Sequence, residues 1–142
     1  MIRDARIGVV GATGAVGTVT LRLLGERGYG NVRAFASARS AGRELDGGVA
    51  VEEATAEALA AGDLDLLLFS CGTSASRELV PYAVQGGALS VDKSSAYRLE
   101  PGYPLVVPEV NGDRARDALE TTRVVAIASR ARSPFTSGTT SG

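Results

Sequence analysis

Seven residues near the N-terminus, Gly11-Ala12-Thr13-Gly14-Ala15-Val16-Gly17, set three glycines at G-x-x-G-x-x-G spacing. That spacing suits the holding of phosphate groups. Gly11 permits a tight exit from a strand. Gly14, lacking a side chain, lets backbone approach a pyrophosphate, and Gly17 lets the following helix pack close to a sheet. The free N–H groups and positive end of that helix then face the anion, and Thr13 adds a hydroxyl. A three-glycine turn also occurs without any ligand. Here a readable strand precedes it and an amphipathic helix follows, the context that a dinucleotide site requires.

A second group of polar residues stands where the second strand ends, at Ser37, Arg39 and Ser40. An NAD-selective site carries Asp or Glu there, roughly 20 residues beyond the glycines, to bond the ribose 2′-hydroxyl. In this chain no acid follows Ala36 until Glu44. Two hydroxyls and a guanidinium instead make a clamp for a 2′-phosphate, which points to NADP(H) as cofactor. The plainer alternative is a solvated polar loop, since such residues are common in turns.

The remaining reactive side chains are few. Histidine is absent and Cys71 is the single cysteine. This excludes an intrachain disulfide and a self-contained Cys/His or Ser/His mechanism, and argues against zinc. Cys71 follows the apolar run ending at Ser70 with no histidine to activate it, so it reads as a packing residue. No residue is assigned a catalytic role.

The elements that position these groups alternate strand and helix. Ile7 to Val10 reads as a buried strand and Ala15 to Arg27 as a helix, its apolar stripe formed by Val16, Val19 and Leu23 and widened by Leu24. Strands are predicted at Val32–Ala36, Val49–Val51, Leu64–Phe69, Ala88–Val91, Leu105–Val107 and Val124–Ala128. Thr55 caps a short helix through Ala61. Ser74 to Val84 is helical with a kink or break at Pro81, and Asn111 caps a helix to about Glu120. This alternation predicts an α/β, Rossmann-like, doubly wound and mostly parallel sheet with helices on both faces. Residues 1–128 form the NADP-binding domain, and 129–142, without periodicity, read as a flexible tail.

Of the 142 residues 44% are apolar and 22% charged, with a net charge of -1. So small a charge argues against a nucleic-acid partner. The longest apolar run is too short for a membrane span, and no apolar signal core opens the chain. The expected location is cytoplasmic.

The glycine turn, the segment Ser37-Ala38-Arg39-Ser40-Ala41-Gly42, the segment Ser94-Ser95-Ala96-Tyr97-Arg98 and the segment Pro104 to Asn111 together resemble aspartate-β-semialdehyde dehydrogenase, over about residues 5 to 128. N-acetyl-γ-glutamyl-phosphate reductase shares a similar turn, but the second and fourth segments favour the first family. The resemblance implies NADPH-dependent reduction of β-aspartyl phosphate, on the route to lysine, methionine and threonine. It implies that Thr13 to Val16 contact the pyrophosphate, that Arg39 and Ser40 hold the 2′-phosphate, and that Ser70 and Gly72 lie near the cofactor. It makes Arg98 the binder of the acyl phosphate, or of inorganic phosphate in reverse. Such a family needs a cysteine shortly after the last predicted strand, to form a thioester that hydride then releases as aldehyde, and a histidine from a second domain. The sequence there is Ser129-Arg130-Ala131-Arg132-Ser133-Pro134, without cysteine. Lys93 also stands where the family commonly has Asn; it would strengthen a phosphate site or point to solvent. The expectation is a truncated or frameshifted product, or an isolated cofactor domain inactive alone. The open partners are a second copy or a separate catalytic chain. A stand-alone NADP-binding module without turnover is the competing reading.

Overall fold

In a computed structural model, which describes residues 2–128, the chain forms an eight-stranded sheet. The strands are β1 Ile7–Val10, β2 Val32–Ala36, β3 Glu44–Leu45, β4 Val49–Glu53, β5 Leu66–Phe69, β6 Leu89–Asp92, β7 Leu105–Val106 and β8 Val124–Ile127. The helices are α1 Ala15–Glu26, α2 Ala56–Ala60, α3 Thr73–Gln85, α4 Pro108–Asn111 and α5 Ala115–Glu120. The strand order is β3-β4-β2-β1-β5-β6-β8-β7. Every pairing is parallel except that of β3 with β4. This is the expected Rossmann-like class. The expected tail at 129–142 lies outside the described residues.

The sheet is apolar because it is covered on both faces. Phe35, Leu67 and Phe69 pack with Leu59 of α2 and Val80 and Ala83 of α3 in one cluster. Val9, Ala34, Ala36 and Val51 form a second, with Leu21 and Leu24 of α1 against it. Val106, Val125 and Ala118 of α5 form a third. Chain order runs outward from β1 in both directions, since β2 lies on one side of it and β5 on the other. The crevice beyond the carboxyl ends of β1 and β5 is therefore the topological switch point, where open α/β sheets hold ligands.

The stripe expected to bury α1 faces outward. Val16, Val19 and Leu23 are 54%, 43% and 41% exposed, while Gly17 is buried and Leu21 and Leu24 are half-buried against the sheet. The reason is steric. A β-carbon on Gly17 would fall on the Gly11 carbonyl oxygen, so the face carrying Gly17 approaches most closely, whatever the size of the neighbouring side chains.

Other elements differ in detail. α3 is continuous, with Pro81 inside it on the exposed side; solvent there can satisfy the Arg77 carbonyl that proline leaves unpaired. Asn111 does not cap a following helix. Its side chain turns back, accepting from Val107 N at 2.7 Å and donating to the Leu105 carbonyl at 3.0 Å. The helix expected to run on to Glu120 is thus split into α4, a 3₁₀ turn at Gly112–Arg114 and α5. Thr55 does cap α2, accepting from Ala58 N at 3.1 Å.

Candidate cofactor site

The Gly11–Gly17 turn joins the end of β1 to the start of α1 at the switch point. Gly11 has φ 85°, a left-handed conformation that a side chain disfavours. A β-carbon there would also stand 2.6 Å from the Ser70 carbonyl oxygen. The turn is fastened by Gly11 N and Ala12 N donating to the Phe35 carbonyl at 2.9 and 3.0 Å, and by Gly14 N donating to the Gly11 carbonyl at 3.1 Å. The first α1 bond belongs to Thr18 N, donating to Gly14 O at 2.9 Å. The amides of Ala15, Val16 and Gly17 therefore precede the helical ladder. No side chain caps α1, and no acid stands in its first turn. An anion at this end meets several free donors and no repelling carboxylate.

An open crevice of about 450 Å³ extends from this turn, lined by Gly11, Thr13, Gly14, Ser37, Ser70 and Cys71 among others. The hydroxyl of Ser70 is buried without a hydrogen-bond partner, so it has capacity left for a ligand. Ala15, Val16 and Gly17 form the first turn of α1, directly after the crevice-lining Gly14, and do not themselves line the crevice. Ser37 to Ser40 make a turn after β2, closed by Ser40 N donating to Ser37 O at 2.9 Å. Arg39 in that turn is exposed and makes no ion pair among the described residues. Gly72 precedes α3 as its N-cap. The residues present thus fit a dinucleotide phosphate by geometry and donor set.

A larger depression of about 770 Å³ lies elsewhere, between α1 and the β3–β4 hairpin. Its lining mixes Arg22 and Arg43 with Glu26 and Asp46 around Leu21, Leu45 and Val49. It offers no helix N-terminus and contains none of the residues selected from sequence. The smaller crevice is the better cofactor site, because the unpaired amides are there.

Arg98 stands apart from the crevice lining. Its Nη2 donates to the Lys93 carbonyl at 2.8 Å and the Ile127 carbonyl at 3.1 Å, tying the ends of β6 and β8 together. Its Nε is buried without a partner, so donor capacity remains for an anion. Lys93 is half-buried and neither faces the glycine turn nor extends freely. Its Nζ donates to Thr20 Oγ1 on α1 at 3.2 Å, and burial lowers its pKa. Cys71 is half-buried, with Sγ 3.6 Å from Ser76 Oγ. Burial, chiefly, raises its pKa above the ordinary thiol value, and the negative charge of Asp92 adds to this. Such a thiol is largely protonated at neutral pH, in keeping with a packing role.

Sequence reasoning missed two parts of this site. The first is the far wall of the crevice, made by Ala54 after β4 and by Ala75, Glu78 and Leu79 of α3. The second is a buried polar network at Asp92. Ser76 Oγ donates to Asp92 Oδ1 at 2.9 Å, Ser94 N to Oδ1 at 2.9 Å, and Ser94 Oγ to Oδ2 at 2.8 Å. It pins α3 to the end of β6. A lone Ser76 on the buried side of α3 carries no signal until its partner strand is known.

Fold, switch-point crevice and uncapped glycine turn together define a dinucleotide-binding domain. The chain belongs to the family described as semialdehyde dehydrogenase, NAD binding domain, whose sequence pattern it matches over residues 6–118. It is 48% identical over 114 residues to the aspartate-semialdehyde dehydrogenase of Streptomyces akiyoshiensis, covering 79% of this chain and 33% of that protein. Against the Corynebacterium glutamicum enzyme of the same name it is 47% identical over 113 residues, covering 74% and 32%. The chain thus spans about a third of the length of these relatives. Among solved structures, aspartate semialdehyde dehydrogenase II of Vibrio cholerae superposes with a TM-score of 0.77 at 32% identity, over 88% of this chain and 42% of that one. A Candida albicans aspartate semialdehyde dehydrogenase with NADP gives 0.69 at 27% identity, over 82% and 37%. Among the described residues no helix is long and apolar enough to cross a membrane.

Proposed function

We propose that the chain binds NADP(H) in preference to NAD(H), as the cofactor domain of an aspartate-semialdehyde dehydrogenase. In that enzyme the cofactor would supply hydride for reduction of β-aspartyl phosphate to the semialdehyde. The chain's own contribution is to hold the pyrophosphate on the amides of the Gly11–Gly17 turn and the start of α1. Ser37, Arg39 and Ser40 hold the 2′-phosphate, and Arg98 the acyl phosphate. The observation that carries the preference is Arg39, exposed two residues beyond the crevice-lining Ser37 with no acidic partner among the described residues. A guanidinium free of internal ion pairs can meet a phosphate bidentately. A structural relative is a complex with NADP.

Glu53 favours a second reading. It ends β4 in register with Ala36, near enough in the sheet to be considered for a ribose hydroxyl, which would suit NAD. Neither Glu53 nor Arg39 lines the crevice itself; the first reading is preferred because Arg39 shares its turn with Ser37, which does line it, and brings the positive charge that a 2′-phosphate requires. Titration of the chain with NADPH and NADH, by fluorescence or calorimetry, separates the two. Arg39→Ala should weaken NADPH binding by about tenfold or more, the loss of a charge-assisted contact, and leave NADH unaffected. Equal affinity for both cofactors in the unaltered chain would overturn the preference.

With one cysteine, no histidine and a raised thiol pKa at Cys71, the 142-residue chain is expected to show no phosphate-dependent oxidation of the semialdehyde. Turnover surviving Cys71→Ser would refute this account of the chemistry. Because a second copy would bring the same single cysteine and no histidine, a separate chain would have to supply nucleophile and acid/base.

A further inference from the structure

We propose that Glu78 recognises the adenine ring of the cofactor by accepting a hydrogen bond from its 6-amino group; this rests on the dinucleotide reading above. The phosphates are anchored at the start of α1, and the ribose phosphate at the turn after β2. The base must then lie across the ends of β2 and β4, against α3. There the crevice wall changes character. Ala36 ends β2 and Ala54 follows β4, each with a single methyl group, and Ala75 and Leu79 lie one turn apart on α3. Positions four apart on a helix share a face, so these two present an apolar surface to a flat ring. Among Ala54 and the α3 residues of this wall, Glu78 alone has a hydrogen-bonding side chain.

An ionised carboxylate can only accept hydrogen bonds. Adenine offers N–H donors at its 6-amino group, whereas guanine and hypoxanthine place a carbonyl oxygen there. Glu78 is exposed and has no ion-pair partner among the described residues, while the adjacent Arg77 engages Glu100 at 4.0 Å and the Ala96 carbonyl at 3.3 Å. The helix that carries Glu78 is held in place by the buried bond from Ser76 to Asp92, two residues away in sequence. The carboxylate is thus free to accept and is displayed from a fixed wall.

The test compares NADPH with its reduced hypoxanthine analogue, in which a carbonyl replaces the 6-amino group, by fluorescence titration of the 142-residue chain. The unaltered chain should prefer NADPH by about tenfold, the scale of one charge-assisted hydrogen bond in an open site. Glu78→Ala should bring the ratio near one without lowering the melting temperature. Glu78→Gln, whose amide can donate to the carbonyl, should narrow or reverse the preference. A ratio near one in the unaltered chain with NADPH bound, or a preference that survives Glu78→Ala, overturns this assignment and leaves NADPH binding standing. Binding of neither compound by the unaltered chain overturns both.

Discussion

Two glycines in the same helix should respond to alanine in opposite ways. A β-carbon on Gly17 would fall on the Gly11 carbonyl oxygen and stand 2.8 Å from both the Gly11 carbonyl carbon and Ala12 Cα. Non-bonded carbons rest near 3.5–4.0 Å, so α1 would have to retreat by roughly 1 Å, and the colliding atoms are backbone that no rotamer change can move. Such overpacking costs about 1–3 kcal/mol. At Gly25 a β-carbon would meet nothing within 4 Å. Alanine there gains only helix propensity, about 0.8–1 kcal/mol. Since that gain is common to both positions, the difference between the variants isolates the packing cost. It corresponds to roughly 3–5 °C per kcal/mol for a chain of this size. Thermal melts should place Gly25→Ala above the unaltered chain, with Gly17→Ala roughly 3–15 °C below Gly25→Ala. NADPH should still raise the midpoint of Gly25→Ala, because ligand binding to the folded state alone stabilises it. It should raise that of Gly17→Ala far less, since the displaced carbonyl belongs to the phosphate turn. A Gly17→Ala chain as stable as Gly25→Ala would refute the close-approach account of α1.

Three further outcomes follow from the charged and thiol groups. Arg6 bonds the Asp65 carboxylate through Nε at 3.2 Å, Nη2 at 2.9 Å and its backbone N–H at 2.8 Å, holding the Asp65 pKa down to about 2. The folded value lies below the ordinary aspartate value of about 3.9, so the contribution is complete above that pH and fades as pH falls toward 2. Denaturation measured across that window should show a flatter acid limb in Asp65→Asn; an unchanged limb would count against the pair. Cys71 should react with a disulfide reagent at pH 8 more slowly in the native chain than in urea, because burial raises its pKa; equal rates would mean that the thiol is open. Burial lowers the Lys93 pKa, so its charge opposes folding and the penalty fades as pH rises toward the ordinary lysine value of about 10.4. Lys93→Met should therefore raise the melting temperature at pH 7 and lose that advantage near pH 10.5, and a gain independent of pH would assign the effect to packing alone.

The strongest local signals in the sequence lead directly to the fold. β1 and β2 fall at their expected bounds, because a short apolar run closed by Gly or Ser leaves little choice of end. The place of the glycine turn between β1 and α1 is legible because strand, turn and helix are all readable around it; that this is the switch point follows only from the strand order. The face of α1 was not readable, since side-chain hydrophobicity pointed to Val16, Val19 and Leu23 while backbone contact at Gly17 decided the orientation. The β3–β4 hairpin was missed although its turn, Asp46-Gly47-Gly48, has the Asp-Gly start of a tight hairpin. Two-residue β3 is too short to show alternation. Asn111 looked like a cap because its type suits one, yet its amide satisfies Val107 and Leu105 instead. The crevice wall on α3 depends on which helix crosses which strand ends, and no local pattern carries that information.

The two halves of the proposed cofactor crevice rest on different chemistry, and this would separate binding from recognition. The phosphate half uses backbone. Gly11 and Gly17 cannot accept a side chain, and the loop amides are held by the Phe35 carbonyl, so a change there strains the sheet edge as well as the ligand. The proposed recognising half would use exposed side chains, Arg39 after β2 and Glu78 on α3, which have no ion-pair partners among the described residues. Exposed residues of this kind usually change stability by less than about 0.5 kcal/mol when substituted. Substitutions at Arg39 and Glu78 should therefore alter which cofactor binds while leaving the fold intact, whereas substitutions at Gly11 or Gly17 should lose both together. On the proposed assignments, cofactor choice in this domain would thus be free to change one exposed residue at a time.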